Sequence, residues 1–223
     1  CERSIVFRIR DSALTLIDEP AGSRFEVAKV NGRAIWSATS ASIEDLSGTI
    51  NGGTFEFAAK LGREEGQPTY EAEARVRSLT LDAGLHELSY LVPVTAGAAE
   101  TVDGRINLEL AVKGTGFTLD QLKNTLQGHG TIRVEPINLD GSYFLREVEP
   151  FGRLPRAERI GAAHSSFSIA QGRITSDDLT IRAAGLPIVF SGYTDFDGNI
   201  DYRTNAELIK KRLPRGAKSL LGE

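Results

Sequence analysis

Three histidines, two acidic clusters and one cysteine are the side chains of this 223-residue chain most able to do chemistry. His86, His129 and His164 lie far apart, and none has a neighbouring His, Cys or acid at metal-ligand spacing. His129 sits between Gly128 and Gly130, which reads as a turn. Asp195, Asp197, Gly198, Ile200 and Asp201 resemble the middle of a calcium loop. Aligned that way, Tyr193 and Thr204 stand where such a loop needs Asp and Glu. The segment therefore reads as a hairpin turn, and Asp177-Asp178 likewise as a turn or strand start. Paired carboxylates for glycoside hydrolysis need a defined separation across a cleft. The polar positions here carry Lys, Arg, Asn and Thr as readily as Glu, a solvated pattern. Nucleophile-elbow, phosphate-loop and His-Glu-x-x-His motifs are absent from the sequence. The lone Cys1 permits neither an internal disulfide nor a Cys-based zinc site. The expectation is a non-enzyme with no catalytic set, no metal site and no cofactor.

Composition narrows the class further. The chain is 40% hydrophobic and 25% charged, ordinary for a folded domain. Its net charge of −4 argues against a general nucleic-acid binder. No apolar run approaches the roughly 18–20 residues that span a bilayer. Met is absent even at position 1, so the chain reads as a piece of a longer protein. Alternatively, Cys1 is the lipid-bearing first residue of a mature bacterial lipoprotein.

The elements around these residues are mostly strands, because apolar and polar positions alternate. Ile5, Phe7 and Ile9 alternate with Val6, Arg8 and Arg10, and Leu14 and Leu16 follow a turn at Asp11-Ser12. Phe25 and Val27 precede a turn at Asn31-Gly32, and Trp36 reads as core or edge packing. Ile43 to Ile50 leads to a turn at Asn51-Gly52-Gly53, then to the alternating Phe55, Phe57, Ala59 and Leu61. Arg63 to Gln67 reads as a loop, and Tyr70, Ala72, Ala74 and Val76 as a strand. Leu85, Leu88, Leu91 and Val92 recur at helical spacing. Ala96 to Ala99 is the best boundary between two halves. Ile106, Leu108, Leu110 and Val112 then alternate.

One helix interrupts. Thr118 and Gln121 form a capping box, Leu119, Leu122 and Leu126 an apolar stripe, and Gly128 a stop. Ile132 and Val134 return to strand. Ser142 to Val148 reads as a short helix, followed by a Pro- and Arg-rich loop up to Ala163. From Ser165 a meander carries Phe167, Ile169, Leu179, Ile181, Ile188, Phe190, Ile200 and Tyr202. Its turns fall at Gln171-Gly172, Gly185 and Asp197-Gly198. Ala206 to Leu213 reads as a helical tail with a basic run from Lys210 to Arg215.

Gly-x-Ile occurs five times, at Gly48, Gly104, Gly130, Gly172 and Gly198. Chance placement gives about two, so the triplet reads as recurring punctuation, most often a turn opening a strand. Strands of this kind have one apolar face, and the few short helices are too few to cover it. The fold expected is mainly β: a long, curved antiparallel sheet with a groove-like apolar face and a few short helices.

Two stretches resemble a known family. Gly114-Thr115-Gly116-Phe117-Thr118-Leu119-Asp120-Gln121-Leu122 and then Leu126-Gln127-Gly128-His129-Gly130-Thr131-Ile132 are similar to the AsmA-like family. So is the meander of Phe167-Ser168-Ile169, Gly172-Arg173-Ile174, Asp178-Leu179-Thr180-Ile181, Phe190-Ser191-Gly192 and Asp197-Gly198-Asn199-Ile200-Asp201-Tyr202. The likeness covers about 104–205, after an N-terminal sheet over 1–99 and before the tail at 206–223, all as one continuous unit. It implies a periplasmic, inner-membrane-anchored envelope protein of Gram-negative-type bacteria, with the anchor outside this chain. It implies a relation to bridge-like lipid transfer proteins, no catalytic residues, and phospholipid or another envelope lipid as partner. Apolar residues Phe55, Phe57, Ile106, Leu108, Leu110, Ile132, Val134, Phe167, Ile169, Leu179, Ile181, Ile188, Phe190, Ile200 and Tyr202 would line the groove.

Two other readings stand beside it. A structural module would pair its sheet edge with a partner strand. A carbohydrate-active β-helix would use Gly-x-Ile as rungs, although the triplets are unevenly spaced.

Overall fold

A computed structural model describes residues 3–18, 23–81, 104–116, 118–138, 160–183 and 186–204. They form one sheet of eleven strands in strict chain order, every pairing antiparallel. The sheet is open and curved. The strands are β1 (Ile5–Asp18), β2 (Ser23–Trp36), β3 (Ala41–Ile50), β4 (Gly53–Glu64), β5 (Gln67–Leu81) and β6 (Gly104–Thr115). After α1 (Leu119–Thr125) come β7 (Gln127–Asn138), β8 (Ile160–Ala170), β9 (Arg173–Ala183), β10 (Leu186–Asp195) and β11 (Ile200–Thr204). Among the described residues every strand pairing is antiparallel, so none of them forms the parallel rungs of a β-helix. The expected helices near Leu85–Val92, Ser142–Val148 and Ala206–Leu213, the Ala96–Ala99 boundary, Gly185 and the basic tail lie outside the described residues. β5 pairs directly with β6, so the described strands before residue 82 and after residue 103 belong to the same sheet.

Several expected turns are instead bulges inside long strands. Asp11 and Lys29 sit in β1 and β2 with positive φ, 43° and 54°, and both strands run on past them. Asp45 in β3 and Ser78 in β5 do the same, with φ 52° and 55°. An extra residue in one strand leaves a ladder group unpaired and bends the sheet. Side-chain amides repair this. Asn31 Oδ1 accepts the Asp11 N–H at 3.2 Å, and Asn107 Oδ1 accepts the Ser78 N–H at 3.0 Å. The polar, turn-like residues at Asp11-Ser12 and Asn31-Gly32 are thus the bulge and its clamp. Arg63 to Gln67 is not a loop either. β4 and β5 extend to a tight turn at Glu65-Gly66, both with positive φ (49° and 82°), as a two-residue hairpin requires. Likewise the expected loop before Ala163 gives way to β8 from Ile160.

The turns at Asn51-Gly52, Gln171-Gly172 and 196–199 form as expected. The capping box also forms. Gln121 N–H donates to Thr118 Oγ1, and the Gln121 side chain accepts from Thr118 N–H. Gly128 is not the helix stop. It lies in β7, and the helix ends at Thr125, whose hydroxyl donates to the Thr115 carbonyl at 2.6 Å. Leu126 then packs on the core.

Candidate functional site

In a strand, residues two apart share a face. Register therefore decides whether eleven alternating strands build one apolar face or two mixed ones. Here they build one. A single register row crosses the whole sheet: Phe7, Ala34, Ile43, Ala59, Ala72, Val112, Gly128, Ile169, Ile174, Thr194 and Ile200. Only Thr194 in it is polar. All fifteen residues expected to line a groove share this face.

Glycines keep the face smooth. A Cβ on Gly130 would meet the Phe167 ring at 2.6 Å, and one on Gly48 the Phe55 ring at 2.8 Å. Each ring lies across the glycine opposite it on the neighbouring strand. Two of the five Gly-x-Ile triplets thus hold ring slots in mid-strand rather than open a strand.

Cover over the face is uneven. Ile106, Leu108, Ile132, Val134, Phe167, Ile169, Leu179 and Ile181 are buried, five of them at 2% exposure or less and Leu108, Phe167 and Ile169 at 6–9%. Protein atoms lie against these eight, so β6–β9 form closed core there. Phe55, Phe57, Leu110, Ile188, Phe190 and Tyr202 are half-buried, and Ile200 is exposed. The bare part lies at the other end. Ile5 is 59% exposed, Phe7 55%, Leu14 56% and Trp36 61%. Trp36 is therefore rim, not core. Sequence reasoning missed this end as the open one, because alternation reports a face and not what covers it.

The opposite face is charged. Arg75 bridges Glu56 and Glu109 on the flanking strands, and Arg33 pairs with Glu44. An open depression of about 800 Å³ crosses β3–β8. It is lined by Glu56, Glu73, Arg75, Glu109, His129 and Thr131, with the apolar row between them contributing as well. The next apolar rows, at Phe55, Val76, Leu108 and Ile132, do not line it. Its walls thus come from the polar rows, and it opens on the polar face.

Candidate chemistry resolves into structure. His129 lies inside β7 opposite Ala111 and Ser168, not at a turn. Asp177 and Asp178 lie inside β9. A register shift between His164 and Ser168 brings Asp178 beside Ser166. Asp178 accepts the Ser166 N–H at 2.8 Å and the hydroxyls of Ser166 and Ser176. Partial burial raises its carboxyl, but these hydrogen bonds outweigh that and hold it below the ordinary carboxylate range. Such a carboxylate is a weak base, and Ser166 is a hydrogen-bond donor rather than an activated nucleophile. Sequence spacing gave no sign of this cluster, which exists only through strand register. Asp195 accepts from Asp197 N–H, Asn199 N–H and the Asn199 amide, closing a hairpin rather than a calcium loop. Among the described residues no group of His, Cys, Asp and Glu is placed to hold a metal. His86 and Cys1 lie outside the described residues.

Comparison with known proteins adds no name: no family model, curated protein or solved structure matches this chain.

Proposed function

We propose that this chain is a non-enzymatic lipid-handling module of a bacterial cell-envelope protein. Its apolar sheet face shields acyl chains during transport between inner and outer membranes or during outer-membrane biogenesis. The observation that carries this is the single apolar face shared by eleven strands, bare at its β1–β2 end. The AsmA-like sequence resemblance supports the envelope setting and the inner-membrane anchor elsewhere in the protein.

The physics suits the role. A strand of 10–15 residues, the length of β3 to β5, spans about 33–50 Å, more than an acyl chain. Each CH₂ moved from water to an apolar surface gains about 0.8 kcal/mol. A carrier surface need only match the bilayer in apolarity, which alternation supplies without any catalytic residue. The guest lies over the exposed Ile5, Phe7, Leu14 and Trp36 and the half-buried Phe55 and Phe57, since β6–β9 are already filled.

Mass spectrometry of the purified protein tests this. Phospholipid should copurify, and a photocrosslinker at Phe7 should label lipid while one at Ile181 does not. Lipid-free protein whose Phe7 crosslinks only polypeptide in cells would refute the reading. That outcome favours the second reading, strand addition by a partner. β1 supports it, since it has a neighbour on one side only among the described residues.

A further inference from the structure

Charged residues on the polar face of the central strands stand in two rows of opposite order. In one row Glu56 pairs with Arg75, and Arg75 with Glu109. Four residues away along each strand, Lys60 pairs with Glu71, and Glu71 with Lys113. Between the two runs a low row of Ala58, Glu73 and Ala111. Successive rows are two residues apart on every strand, so all three rise from the same face. The six charged residues of the outer rows are exposed. The valleys between rows are the depression of about 800 Å³ and a second of about 510 Å³. Arg75 bridges its two glutamates, whereas Lys60, Glu71 and Lys113 have no ion pair among the described residues.

One row reads acid, base, acid and the other base, acid, base. A half-turn about the middle row exchanges them and lays each strand over its own copy. Glu56 then faces the partner's Lys60, Arg75 the partner's Glu71, and Glu109 the partner's Lys113. Each contact occurs twice, as a two-fold interface requires. Six charges a side thus meet their opposites, whereas rows of one sign would repel their copies. Glu73 is the exception, since it meets the partner's Glu73 on the axis. Sheets stack face to face with strands within about 30° of each other, and twist carries strands outside β4–β6 out of line. Three rows across β3–β8 cover about 20 by 29 Å, roughly 600 Å² per partner, which suits a weak dimer. Exposed ion pairs contribute little singly and are screened by salt, so the dimer should be salt-sensitive.

We infer that the polar face of β4–β6 docks on the same face of a second copy of this chain, two-fold about the Ala58–Glu73–Ala111 row. The apolar faces then point outward, so this stands whether or not they carry lipid.

Sedimentation equilibrium of the full chain at about 20 mM and about 500 mM salt tests this. Dimer should form at low salt and weaken roughly tenfold or more at high salt. Lys60→Glu with Lys113→Glu makes that row wholly acidic, and Glu56→Lys with Glu109→Lys makes the other wholly basic. Each double variant alone should lose dimer on the order of a hundredfold, because both symmetry-related halves then set like charges face to face. Mixed in equal amounts, the two should form a heterodimer, since every row again faces its opposite. Glu73→Gln keeps the fold's charge rows and should tighten the dimer roughly two- to fivefold by removing the repulsion on the axis. Wild type that stays monomeric at low salt overturns the inference. So does a dimer that survives in either double variant, which marks a different interface, or a mixture of the two that stays monomeric. A Glu73→Gln dimer weaker than wild type also counts against it. Copurified lipid is read by mass spectrometry, so the two proposals fail separately.

Discussion

Two phenylalanines on the same sheet face should behave oppositely when truncated. Phe167 is 6% exposed and lies across Gly130, while Phe7 is 55% exposed. Fully burying a phenylalanine side chain gains about 1.5–3 kcal/mol. Phe167→Ala also opens a cavity over Gly130, which has no Cβ to fill it. The total cost should be about 3–5 kcal/mol. Phe7 shields less than half its surface, so Phe7→Ala should cost about 1 kcal/mol or less. Urea unfolding of both variants, with midpoints and slopes compared, measures the difference. The lipid proposal adds a second contrast. Phe7→Ala should reduce copurified lipid with stability nearly intact, whereas any lipid loss in Phe167→Ala should follow its loss of fold. Equal destabilisation by both would refute the reasoning, because the face would then be uniformly covered. A near-neutral Phe167→Ala would refute it from the other side and show the centre to be open.

The bulge clamps and the Asp178 cluster make further predictions. The Asp178 carboxyl is held below the ordinary range when folded, so its contribution is intact above that range. That contribution should fall away as the solution acidifies below about pH 4, with thermal melts of wild type and Asp178→Asn converging there. Melts that stay equally separated through the acid range would count against the clamp. Asn107→Ala leaves the Ser78 N–H without its acceptor and should cost about 1 kcal/mol. Asn107→Asp keeps the acceptor and should recover most of it, as chemical denaturation would report.

Much of the fold was legible in the residues. Alternation marked nearly every described strand, and the Thr118–Gln121 box fixed the start of α1, because both signals depend on neighbours in sequence. Polar residues at Asp11, Asn31 and Asp178 misled for a common reason. Each looks like a turn locally, yet Asp11 is a bulge that Asn31 clamps and Asp178 clamps Ser166, through partners 12 to 20 positions away. Gly48 and Gly130 were similarly ambiguous, since a glycine needed for positive φ and one needed for a ring overhead are the same letter. The apolar face was legible too, and the list of its fifteen members names residues that do share one side of the sheet.

The sequence by itself determined that strands of this chain carry one apolar and one polar side, since that follows from a two-residue period. Only the tertiary structure decided that register joins those sides into a single face, that the face is filled at β6–β9, and that it lies bare at β1–β2. Burial depends on what packs against a residue, and that neighbour is set by pairing across the sheet rather than by position along the chain.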